Sequence, residues 1–240
     1  RLVFLSGGIT HASFGGIGMA YYFGANPLLG ALLFAVLSAL GIETFTARKQ
    51  IREDSAIGLL WSLGMAIGII FIYLTPGYAP NLMSFLFGNI LSVTGTDIFW
   101  MGVVDLAILL IFGTMYHPIL FVAFDREYAR SQNFPTRTIS YLMATLVAVT
   151  IVISIRVVGI VLLISLLTIP AVIGNLISKS FGRILLYGSV IAALSAFAGL
   201  YISYQTNIPS GASTIFVLTV TLIAVKTITF VRLKRRMKTR

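Results

Sequence analysis

Residues 138–178 read "TISYLMATLVAVTIVISIRVVGIVLLISLLTIPAVIGNLIS", and Arg156 is the one charged side chain in the stretch. About 20 apolar residues suffice for a helix to cross a bilayer. The segment holds two such runs back to back, at 138–155 and 157–178. Hydrocarbon offers the backbone no water, so each run must satisfy its own N–H and C=O groups, as an α-helix does. Further runs at 2–23, 27–46, 55–75, 98–117, 184–204 and 212–231 bring the expected crossings to eight. The fold class is therefore all-α: a polytopic membrane protein of about 7–8 transmembrane helices, with residues 1–240 as a single transmembrane domain.

Composition points the same way. The 240 residues are 58% hydrophobic and 10% charged, with mean hydropathy +0.99, where soluble domains carry about 25% charged residues. With no cysteine, a disulfide framework, a thiolate metal site and thiol chemistry are excluded.

The net charge of +10 is explained by where the charges fall. Arg48, Lys49 and Arg52 form one cluster, Arg126, Arg130 and Arg137 a second, and Lys179 and Arg183 a third. The last runs from Arg232 to Arg240 and is expected to anchor its helix at an anionic cytoplasmic leaflet. With Arg1 inside and the runs alternating, 47–54, 118–137, 179–183 and 232–240 are cytoplasmic. Every basic cluster then obeys the positive-inside rule, and a nucleic-acid partner is not implied. The outer loops 24–26, 76–97 and 205–211 hold no Lys or Arg. Arg156, in an outer turn, is the exception.

Two connecting segments are unusual. Residues 81–94, "NLMSFLFGNILSVT", are apolar but too short to span, and are expected to form an outer-leaflet or re-entrant helix. Residues 116–138 spend about twenty residues where a few would suffice. Pro118 is expected to end the preceding helix. Phe121, Phe124 and Tyr128 then recur at helical spacing among Asp125, Arg126, Glu127 and Arg130, until Asn133-Phe-Pro135 stops the pattern. Such a stretch (about 118–135) either lies on the membrane surface or docks a cytoplasmic partner.

Two residues carry the question of chemistry. His11 lies about 14 Å into its helix, close to mid-membrane. Gly8, Ala12, Gly16, Ala20 and Gly24 form an every-fourth stripe of small residues beside it, the pattern of close helix packing in lipid. An imidazole at that depth is either neutral and bonded to a neighbour or a ligand on a polar path. Among the acids, Asp105 is two turns into its span and is the deep carboxylate that could share such a path. Glu43 is near the inner end of its helix and is a further path candidate. His117, at the inner end of another, suits a cap or an interface. Ser165, Thr168 and Pro170 predict a bent helix whose freed carbonyl is met by the Thr hydroxyl.

The order of several motifs resembles a known family. These are the His11 stretch, "EDSAIGLLWSLGMAIGIIF" (53–71), "LFGNIL" (86–91), "AFDREYARSQ" (123–132), "VVGIVLLISLLTIPAVIGNLISKS" (157–180) and "NIPSGASTIFVL" (207–218). Together they are similar to the permease subunits of bacterial ABC importers for zinc, manganese and iron. Members normally begin with one further hydrophobic helix, and the opening on Arg1 rather than Met fits its being missing here.

The resemblance implies a type II importer fold in the bacterial plasma membrane. It also implies a permease homodimer, two cytoplasmic ATPase subunits and an extracytoplasmic metal-binding protein. The metal ion is cargo and no permanent cofactor is implied. The segment around Phe121, Phe124, Asp125, Arg126, Glu127 and Tyr128 would be the coupling helix seated on the ATPase. The family's first motif is Asp-x-x-x-His; here His11 is kept and Gly7 stands at the acid's position. Asp105, or the hydroxyl of Thr10 or Ser13, then completes the site, or the path is looser. The chain holds no Gly-x-x-x-x-Gly-Lys phosphate loop, so ATP hydrolysis is expected in a separate subunit. A metal chelate or vitamin as cargo is one alternative, and an ion-coupled secondary transporter is the other.

Overall fold

The structure is a computed structural model that describes residues 2–47, 51–76, 88, 90 and 93–238. Among the described residues the regular elements are α-helices: α1 (Leu2–Tyr22), α2 (Pro27–Ala47), α3 (Glu53–Leu74), α4 (Gly95–Phe124), α5 (Arg126–Ser131), α6 (Thr136–Val158), α7 (Ile160–Ile177), α8 (Phe181–Thr206) and α9 (Ser210–Lys238). Most of 81–94, where a short outer helix was expected, lies outside the described residues.

Seven of these helices are long and apolar enough to cross a membrane: α2, α3, α4, α6, α7, α8 and the first 22 residues of α9. The remaining expected crossing, α1, is as long as α2 and is packed within the protein along most of its length. From Leu5 to Ala20 every residue is buried except His11 and Met19, which are half-buried.

The chain divides into two compact units, residues 1–82 with 91–157 and residues 83–90 with 158–240. In the first, α1 packs on both α2 and α3. A Cβ added to Gly18 would strike the backbone of Gly68, and one added to Gly64 would lie 2.5 Å from the Cα of Ala12. The small-residue stripe therefore divides. Gly8 and Ala12 face α3, at Ile57 and Gly64, while Gly16 and Ala20 face α2, at Gly30. An every-fourth row advances about 40° round the helix at each step, which carries it from one neighbour to the other.

Gly24 does not belong to this stripe. The helix has ended at Tyr22, and Gly24 takes φ +66° in the turn beyond it, where the Ala25 N–H donates to the Ala20 carbonyl at 2.8 Å. That is a glycine stop, which needs the left-handed region.

In the second unit α7, α8 and α9 pack on one another. Gly174 lies against the Ile184 carbonyl, Gly188 against Pro170, and Gly199 against the backbone of Thr214. The Thr168 hydroxyl donates to the Ile164 carbonyl at 2.7 Å, so it does not serve the carbonyl of Leu166 that Pro170 frees.

α4 is two helical segments joined at a kink: the first ends at Met115 (φ −115°, ψ 24°), three residues before Pro118, and the second runs to Phe124. Proline removes one hydrogen bond and clashes with the carbonyl four residues back, which is where the break falls. His117 lies just past the kink, exposed and edge-on to Tyr116 at 5.4 Å.

At its outer end α4 starts on a capping box. Thr94 Oγ1 accepts from the Asp97 N–H, and the Thr94 N–H donates to Asp97 Oδ2 at 2.9 Å. Arg156 Nη1 donates to Asp97 Oδ1 at 3.0 Å. The one basic residue that broke the inside-positive pattern is thus neutralised by a carboxylate of another helix.

Candidate functional site

His11 is held by its neighbours' shapes. The glycines and alanines of α1 bring α3 to backbone contact, which places Trp61 against the histidine. The two rings stack with centroids 4.3 Å apart and planes 5° from parallel, a contact worth about 0.5–1.5 kcal/mol beyond its area. Trp61 was not singled out from the sequence, yet Ile57, Trp61, Gly64 and Gly68 recur at the four- and three-residue spacing of one helix face. Three of the four touch α1 as packing residues, and that periodicity is the signal that could have found the fourth.

The imidazole is asymmetric in its surroundings. Nδ1 is buried and has no hydrogen-bond partner. The hydroxyls considered as completing ligands are turned elsewhere: Thr10 Oγ1 donates to the Ser6 carbonyl at 2.6 Å and Ser13 Oγ to the Thr10 carbonyl at 2.7 Å. Both residues are fully buried. One turn before His11, a Cβ on Gly7 would meet nothing within 4 Å.

The acids do not gather round this ring. Asp105 is exposed along α4 and has no hydrogen bond or ion pair among the described residues. Glu43, nearly buried at the inner end of α2, instead receives the Arg126 guanidinium, Nη2 to Oε2 at 3.0 Å. Among the described residues no three His, Asp or Glu side chains converge as a metal cluster.

The segment after α4 is built as a separate small element. Asp125 leaves helical geometry (φ −147°, ψ 98°) and caps α5, its Oδ1 accepting from the N–H groups of Glu127 and Tyr128 at 3.0 Å each. Asn133, at φ +59°, closes it, with the Phe134 N–H donating to the Ala129 carbonyl at 3.1 Å. The aromatic row expected on one face is split by this break. Phe121 turns inward against Tyr128 and Phe134 at 5.4 and 5.8 Å, beside the buried Ile119, Val122, Ala129 and Ile139. Phe124 is 77% exposed and Tyr128 47%. Asp125 and Glu127 share that exposed side. Two exposed aromatics thus flank the cap of the short helix, Phe124 at the end of α4 and Tyr128 on α5.

Residues 1–229 match the model of the ABC 3 transport family. The chain belongs to this family. Relatives extend the match: a membrane protein of Synechocystis sp. is 38% identical over 90% of this chain and 77% of its own length. The manganese transport system membrane protein MntC of Halalkalibacterium halodurans is 34% identical over 87% of this chain and 72% of its own. Among solved structures, PsaBC from Streptococcus pneumoniae in complex with Fab superposes with a TM-score of 0.80 at 29% identity, covering 93% of this chain and 80% of that one. The ABC 3 chain is thus the membrane-spanning, non-catalytic part of an ABC transporter.

Proposed function

We infer that this chain is the permease subunit of an ATP-driven importer that moves a divalent transition metal ion, of the zinc, manganese or iron type, into the bacterial cytoplasm. The manganese system named for a relative supports the cargo class. The observation that carries the reading is the His11 imidazole at mid-depth of α1, clamped by Trp61, with no hydrogen bond to either nitrogen among the described residues. Imidazole is a common ligand for such ions. Nδ1 is enclosed, so Nε2 is the nitrogen on offer to a passing ion. With no carboxylate at Gly7 the station binds weakly, and a transport path needs binding weak enough to release.

The working unit is a homodimer of this permease with two cytoplasmic ATPase subunits and an extracytoplasmic metal-binding protein. Asp125, Glu127 and the exposed Phe124 and Tyr128 form the face presented to the ATPase, and Phe121 packs behind it. Phe124→Asp with Tyr128→Asp is expected to abolish co-purification of the ATPase while leaving the permease folded. Retention of a stoichiometric ATPase by that double variant would remove the assignment.

The transport reading is tested by uptake of radiolabelled zinc, manganese and iron into metal-starved bacteria that express the permease with its own ATPase and binding protein. One metal is expected to accumulate, and His11→Ala is expected to lower its uptake about 10–100-fold with the complex intact. If every metal stays outside while the complex assembles, the ion reading fails and a chelate becomes the cargo to test.

A further inference from the structure

We propose that Glu43, Arg126 and Ser140 form a clasp that makes α5 move α2, so that the coupling segment and the His11 helix act as one linkage. The proposal rests on the permease reading above for what α5 docks to, and on the following geometry for the linkage itself.

Arg126 is the first residue of α5. Its Nη2 donates to Glu43 Oε2 and Oε1 at 3.0 and 3.3 Å and to Ser140 Oγ at 2.6 Å. One guanidinium therefore ties the docking helix to the last turns of α2 and the first turns of α6. A second contact runs alongside, where Thr44 Oγ1 and Tyr141 OH lie 2.7 Å apart, with Arg137 over the Tyr141 ring at 5.7 Å. The Glu43 side chain is only 8% exposed. Burying such a pair costs desolvation that apolar side chains of the same volume would not incur. A bundle that needed only to hold α5 in place could use the apolar contact it already has around Ala129. A directional, releasable pair is suited to a joint.

The surroundings leave the joint room to work. Arg126, Glu43 and Ser140 form the wall between two spaces. One is an open cavity of about 420 Å³ reaching Thr46, Arg130, Arg137 and Tyr141. The other is an apolar cleft of about 70 Å³ bounded by Leu5, Ile119, Val122 and Met143. Arg126 Nε is buried without a hydrogen-bond partner, so the guanidinium is gripped at one nitrogen and unfixed at another.

Beyond the clasp the linkage is stiff. From Glu43 the α2 helix leads to Gly30, which meets Gly16 of α1 backbone to backbone, with no side chain between to yield. Gly16 is five residues from His11 on the same helix. A displacement of α5 thus reaches the ring through one releasable pair and two rigid elements, a physical connection rather than a statistical one. Glu43 and Arg126 are positioning residues; neither touches cargo in this scheme.

The chain has no cysteine, which permits a clean readout. A Gly7→Cys reporter one turn from His11 is introduced into the complete transporter in phospholipid vesicles. Its reaction with a small methanethiosulfonate is timed with and without ATP–vanadate trapping, and ATP hydrolysis is measured on the same vesicles. With the clasp intact, trapping is expected to change the labelling rate about fivefold or more. With Arg126→Met or Glu43→Gln the rate is expected to ignore trapping while hydrolysis continues, and the exchanged pair Glu43→Arg with Arg126→Glu should restore part of the response. A trapping response that persists in both single variants overturns the proposal. So does its absence with the clasp intact, or loss of ATPase binding in both single variants, which would make the clasp a docking element. Because the reporter needs no cargo, failure of the metal reading would appear only in a parallel uptake measurement.

Discussion

Gly30→Leu is expected to lower the thermal midpoint of the purified permease by about 10 °C, with Gly16→Leu equally severe. A Cβ at Gly30 would lie 2.7 Å from the Ala20 Cβ and strike the Gly16 carbonyl, and one at Gly16 would fall 2.5 Å from the Gly30 carbonyl carbon. Overpacking of a close-fitting contact costs about 1–3 kcal/mol, more where nothing flexible can yield. Here the obstacle is backbone on both sides. Each kcal/mol is worth about 2–4 °C in a chain of this size. Lipid supplies no hydrophobic drive to push the helices back together, so the lost close approach is not recovered elsewhere. The control is Gly102→Leu, whose Cβ would meet nothing within 4 Å; it should leave the midpoint within about 2 °C. Because Gly16 and Gly30 abut, the double substitution should cost much less than the sum of the two. An unchanged midpoint for Gly30→Leu, measured by tryptophan fluorescence on heating, would mean that α1 and α2 are not in backbone contact.

What could be read from the sequence was the part governed by local rules. The apolar runs, the stop at Asn133 and the separate character of the segment around Asp125 follow from spacing and residue type. What could not be read was pairing between distant positions. Arg156 reads as an exception because its partner Asp97 is 59 residues away in sequence, and Glu43 reads as a path candidate because its partner Arg126 is 83 away. Asp105 is linked to His11 by depth, and depth does not fix which side of a helix a residue occupies. The small-residue stripe on α1 announced close packing but not that two neighbours would share it, since the row turns as it climbs. Pro118 shows a local rule at work one turn away from where it is written: the break falls at Met115, beside the Thr114 carbonyl that the ring would strike.

Gly7→Asp is expected to tighten binding of the transported metal about a hundredfold and to slow its release. Residues four apart on a helix lie on one face with Cβ atoms about 5–6 Å apart, within reach of one ion between a carboxylate and an imidazole. The new Cβ meets nothing within 4 Å beyond its own stretch of helix, so the substitution adds a ligand without disturbing the α1–α3 contact. Removing a mere supporting partner of a metal ligand costs about 10–100-fold in affinity, and a direct anionic ligand should contribute at the upper end of that range. The same gain should hurt transport, because an ion held about a hundredfold more tightly leaves more slowly. Calorimetric titration of the complete transporter with manganese and zinc reads affinity, and single-turnover uptake reads release. Unchanged affinity in Gly7→Asp for both metals would place the ion's path away from this face of α1, and with it the role given to His11.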